Sequence, residues 1–116
     1  MDRVASVVAQ RARIYEAITS VRRAALAQEP FSTQAVASRD RILALARAEL
    51  QRVFAGELAS AGREGRDLLE ALDAAASWQV WEALRSHQGL SQLRARKVLE
   101  RLVLAVLTTP DTSERS

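Results

Sequence analysis

Apolar residues recur at three- and four-residue steps from the start of the chain: Val4, Val7, Val8, Ile14, Tyr15, Ile18, Val21 and Ala25. That spacing puts them on one stripe of an α-helix and predicts a helix from about Asp2 to Ala27. Pro30 cannot continue it, because its ring removes a donor and pushes the preceding residue out of the helical region, so the break is expected near Gln28 or Glu29. A second stripe, Val36, Leu43, Ala46, Leu50, Val53 and Phe54, predicts another helix, capped by Ser32 or Thr33 and stopped by Gly56. Glu57 to Gly65 reads as the most loop-like interior stretch, although Leu58 offers an irregular prolongation of the helix. A third helix is expected to start between Glu64 and Asp67, where acids complement the positive end of the helix dipole. Its apolar positions, Leu68, Leu69, Leu72, Ala75, Ala76, Trp78, Val80, Trp81 and Leu84, wrap most of the circumference, so it needs neighbours on more than one side.

His87-Gln88-Gly89-Leu90-Ser91 has the chemistry of a short helix-to-helix connection. Gly89 suits a left-handed cap, Leu90 the hydrophobic contact that follows it, and Ser91 the cap of the next helix. The last helix, about Gln92 to Leu107, begins with Arg94, Arg96 and Lys97 and ends in the apolar run Leu102 to Leu107. No strand pattern competes. The expectation is an all-α antiparallel bundle of about four main helices spanning residues 1–109, with 110–116 as a disordered tail. The third and fourth helices carry more apolar surface than one small bundle covers, which predicts a self-complementary homodimer face.

Composition narrows the function classes. With 48% apolar and 27% charged residues the chain has the balance of a folded soluble domain, and no apolar run approaches the roughly 20 residues that span a bilayer. The absence of cysteine excludes disulfides and thiolate chemistry and makes the cytoplasm the expected compartment. The net charge of +3 suggests nucleic acid, yet the basic residues are spread along the whole length and not clustered, as on a solvated surface. An enzyme is not expected, and neither is a metal or cofactor. The single histidine, His87, stands at a helix end, Asp67, Glu70 and Asp73 lack a histidine or cysteine to complete a metal shell, and no glycine-rich phosphate loop is present.

The stretch Ala71-Leu72-Asp73-Ala74-Ala75-Ala76-Ser77-Trp78-Gln79-Val80-Trp81-Glu82-Ala83-Leu84-Arg85, followed by Gln88-Gly89-Leu90-Ser91 and an arginine-rich final helix, resembles the last two helices of TetR-family transcriptional regulators. Val21-Arg22-Arg23-Ala24-Ala25-Leu26 with Pro30-Phe31-Ser32 is similar to the middle of the same C-terminal domain. The resemblance covers nearly the whole chain and lies in helix packing, not in chemistry. It implies a domain that binds a small apolar or aromatic effector and dimerises through an intersubunit four-helix bundle of the last two helices. The dimer contacts it suggests are Leu72, Ala76, Leu99, Leu102 and Val106. The helix-turn-helix that binds DNA in that family has no counterpart here, since Met1-Asp2-Arg3 already lies in the C-terminal domain, so DNA is expected to be reached only through a missing N-terminal domain.

Candidate effector contacts come from polar or aromatic groups on apolar stripes. Arg11 falls between Val7 and Ile14 with Tyr15 one turn on, and suits an anionic or planar ligand group; the alternative is a pairing with Glu49 or Asp73. Phe54, Trp78 and Trp81 suit the wall of a pocket, the alternative being ordinary core. Two other functions remain open. One is a small standalone DNA-binding protein using Ser91–Leu104 as recognition helix, although that helix turns thoroughly apolar after Glu100. The other is a modulator that heterodimerises with a full-length regulator.

Overall fold

The computed structural model describes residues 2–28 and 33–108, which are helical nearly throughout, with no strand among them. Six α-helices follow one another: α1 (Asp2–Gln28), α2 (Thr33–Val53), α3 (Ala55–Ser60), α4 (Gly65–Ala75), α5 (Trp78–Glu82) and α6 (Gln92–Thr108). A 3-10 turn (Gly62–Glu64) joins α3 to α4, and a π-helical turn (Ala83–His87) extends α5. The bundle is built around α6, which packs most extensively against α1 and α4. Ala95, Leu99 and Val103 on α6 are wholly buried, facing a core that includes Val8, Leu50, Phe54, Leu72 and Trp81.

α1 ends at Gln28, where the approach of Pro30 predicts it. Its buried face runs Val4, Val7, Val8, Arg11, Ala12, Tyr15 and then Arg22, with Ile18 partly buried. Ile14 and Val21, expected on that stripe, instead point outward, Val21 with 68% of its surface exposed. The steps from Tyr15 through Ile18 to Arg22 follow the true face, and Val21 lies about a quarter-turn off it.

α2 is anchored at one end. Leu50 and the following Phe54 are fully buried, whereas Leu43, expected on the same stripe, is exposed with Ile42 and Leu45, because the first half of the helix lies away from the core. The cap expected at Ser32 lies outside the described residues, as do the 110–116 tail and Thr109.

Gly56 does not stop a helix. It lies inside α3 without a left-handed backbone, and the expected loop from Glu57 to Gly65 is helical apart from a break at Gly62, whose φ is +60°. Leu58 packs against the core and Glu57 pairs with Arg3, so burial and charge hold the segment in helical form. Gly65 then passes under α3, and a Cβ there would lie 2.7 Å from the Leu58 carbonyl oxygen.

The expected third helix is two helices. Ala76 ends α4, and Ser77, in extended backbone, caps α5 by accepting a hydrogen bond from the Val80 N–H at 3.2 Å. In an unbroken helix that N–H would bond to the Ala76 carbonyl. The break releases this carbonyl, and Tyr15 Oη donates to it at 2.6 Å. The next connection forms as its local chemistry predicts: Gly89 is left-handed at φ +67°, Leu90 N–H bonds back to the Leu84 carbonyl at 3.0 Å, and Ser91 accepts from Arg94 N–H at 3.2 Å.

Candidate functional site

Two polar nodes and one cleft are the features that packing alone does not require. The first node is Arg11, only 4% exposed. Its guanidinium donates to the Ala46 carbonyl at 2.9 Å, Glu49 Oε1 at 3.2 Å, Tyr15 Oη at 3.2 Å and the Ala76 carbonyl at 3.5 Å. These acceptors belong to α1, α2 and α4. Arg11 and Tyr15 thus tie three helices together, through a carbonyl inside α2 and the carbonyl released at the end of α4. Burial pushes the Tyr15 phenol up from its ordinary pKa, with Arg11 opposing that shift. Of the candidate effector contacts, Arg11 and Tyr15 are hydrogen-bonded within the chain, Arg11 to Glu49, one of the two carboxylates expected as its alternative partner.

The second node is Glu16 on α1. Its carboxylate accepts from Trp81 Nε1 at 2.8 Å, Arg85 Nε at 2.8 Å and Nη2 at 3.2 Å, and Gln92 Nε2 at 3.1 Å. The Arg85 hydrogen bonds, aided by the Trp81 indole, hold the Glu16 carboxyl below the usual carboxylate range against partial burial. Arg85 also donates to the Leu90 carbonyl at 2.8 Å, so the node fastens the π-turn and the start of α6 to α1. Trp81, fully buried with its N–H on Glu16, is core and not a pocket wall, and Phe54 is likewise sealed between α2 and α3 with Arg3 over its ring.

Trp78 differs from these. Its indole N–H donates to Thr19 Oγ1 at 3.3 Å, and the Arg22 guanidinium lies over its ring, 5.2 Å from the centroid. Arg22, Thr19, Glu16 and Arg85 were not singled out in the sequence, although Arg22 stands four residues after Ile18 on the stripe of Tyr15 and carries the same signal as Arg11.

An open cleft of about 460 Å³ lies between α1 and α2, lined from Arg3 to Gln10 on one side and from Glu49 to Val53 on the other. None of the five effector candidates lines it. Of the dimer candidates, Leu72, Ala76 and Leu99 are corrected: they are at most 1% exposed in the single chain, because the contact between α4 and α6 consumes them. Leu102 is 39% exposed and Val106 partly buried. Beside the buried stripe of α6 runs a second apolar line, Val98, Leu102 and Ala105, that the chain leaves half-buried or exposed. Arg94, Lys97 and Arg101 form an exposed basic line on the same helix. Among the described residues no group of acidic and histidine side chains is placed to hold a metal, and no helix is long and apolar enough to cross a membrane. No family model, curated protein or solved structure matches the chain.

Proposed function

We propose that this chain is the effector-sensing and homodimerisation half of a TetR-like transcriptional regulator. The observation that carries this reading is the second apolar line of α6: Leu102 and Ala105 are exposed and Val98 half-buried, beside a core stripe that is fully satisfied. α4 supports it with an exposed Ala71 between the half-buried Leu68 and Ala75. Small and aliphatic residues at three- and four-residue steps on two packed helices suit close packing against the same pair from a second copy, an isologous four-helix bundle. In this reading a small apolar or aromatic effector binds among the first helices, and DNA binding belongs to a separate helix-turn-helix domain.

Light scattering tests the reading. The unaltered chain is expected to be a dimer at micromolar concentration, and Leu102→Glu a monomer with unchanged helical circular dichroism. A monomeric unaltered chain sinks it.

The exposed Arg94, Lys97 and Arg101 favour a second reading, in which α6 contacts nucleic acid directly. Its discriminating result is a salt-dependent rise in the anisotropy of labelled duplex DNA that is lost when all three are replaced by glutamine.

A further inference from the structure

Arg11 and Arg22 are the two buried charged residues of the described chain, and they are treated differently. Arg11 has four acceptors, a carboxylate among them. Arg22 is 8% exposed, yet no carboxylate, carbonyl or hydroxyl among the described residues accepts a hydrogen bond from it; its contact is the face of Trp78. Among the described residues, Glu82 is held by Arg23 at 2.7 Å and Glu16 by Arg85. Cation–π attraction helps to hold a guanidinium that lacks acceptors, but it leaves the donors in the plane of the group unused. Those donors are not sealed in, for the fully enclosed unpaired nitrogen among the described residues belongs to Arg96.

We infer that Arg22, stacked on Trp78, is the recognition point for a single carboxylate carried on an apolar or aromatic ligand. This names the effector class and rests on the sensing reading above. The planar fork of a guanidinium matches the two oxygens of a carboxylate, and its donors lie in the plane of the group, where a bidentate contact forms. One guanidinium balances one charge. A phosphate dianion would keep an unmatched charge here, because the adjacent Arg23 is already held by Glu82 and Ser86. The Trp78 indole is itself fixed by Thr19, whose hydroxyl donates in turn to the Tyr15 carbonyl, so the platform is set before a ligand arrives.

Tryptophan emission and thermal midpoint are followed while the dimeric chain is titrated with hexanoate and benzoate, with hexanamide and benzamide as uncharged counterparts and inorganic phosphate as a third probe. The acids are expected to give a saturable emission change and a raised midpoint, with affinity at least about tenfold above that of the amides and of phosphate. Arg22→Gln, with helical content unchanged, is expected to lose the acid response, and Arg22→Lys to retain part of it. Amides or phosphate matching the acids, an undiminished response in Arg22→Gln, or no saturable response to either acid overturns the assignment. An Arg22-independent response to the amides would leave effector sensing standing while removing the carboxylate, and the oligomeric state is read separately.

Discussion

A glycine has no side chain to declare its purpose, and the glycines at the starts of α3 and α4 need opposite things. A Cβ on Gly65 would lie 2.7 Å from the Leu58 carbonyl oxygen, a backbone atom that cannot swing aside, whereas a Cβ on Gly56 would meet nothing within 4 Å. Gly65→Ala is therefore expected to destabilise by about 1–3 kcal/mol through forced displacement of α3 from α4. Gly56→Ala, in an exposed helical position, should stabilise by about 0.5–1 kcal/mol through reduced backbone entropy of the unfolded chain. Urea unfolding of the two variants gives the comparison, and equal effects would show that the close approach does not exist in solution. Arg11 and Arg22 make the related point for charge: the same residue type on the same buried face is a finished structural tie in one case and an open donor set in the other.

At the level of elements, what distinguishes the second half of the chain is its interruptions. The break at Ser77 and the π-turn at Ala83–His87 re-aim the helix twice within about three turns, and each is secured from α1, by Tyr15 at the first and Glu16 at the second. The Glu16 carboxyl is held below its usual value of 4.5 chiefly by Arg85. A depressed carboxylate contributes stability that is present above its unfolded pKa and lost as pH falls through the folded one. Glu16→Ala is accordingly expected to unfold about 2–3 kcal/mol more easily near neutral pH, with the difference from the unaltered chain shrinking below about pH 4.5. Thermal midpoints measured from pH 7 down to pH 3 check both parts; a difference that stays constant over that range would mean the loss is packing and not charge.

Over the whole molecule, the Arg11–Tyr15 pair holds α1, α2 and α4 in one arrangement. Tyr15 is the sole tyrosine, so absorbance at phenolate wavelengths reads it alone. Its raised pKa means that the stability linked to it is complete below the ordinary value of 10.0 and is lost as pH rises through the folded value. Phenolate should therefore form later than in the unfolded chain, together with loss of helix. Tyr15→Phe is expected to cost about 1–2 kcal/mol at neutral pH, since the Ala76 carbonyl then keeps only the longer Arg11 bond, and to lack this part of the alkaline decline. Titration at pH 10 without loss of helix would contradict the geometry. The proposed dimer face belongs to the same scale: in that proposal it centres on Leu102, which α6 leaves uncovered, and not on Leu72, Ala76 or Leu99, which the single chain already uses.

The all-α class, the end of α1, the start of α4 and the Gly89–Ser91 connection follow from the sequence by itself, because each depends on periodicity or on hydrogen bonds among residues a few positions apart. Only the tertiary structure decided where the long third helix breaks, since the carbonyl released at Ala76 is met by Tyr15 and Arg11 from a distant part of the chain. It also decided which apolar stripe is core and which is surface. Val21 and Leu43 recur at helical steps like their buried neighbours, and the packing of the helices, with the first half of α2 away from the core, leaves them outside. The candidate site divides in the same way: Trp78 and a buried arginine were legible in the spacing, but whether an arginine finds its carboxylate depends on which acids other helices bring, and here Arg11 meets Glu49 while, among the described residues, Arg22 meets only the indole.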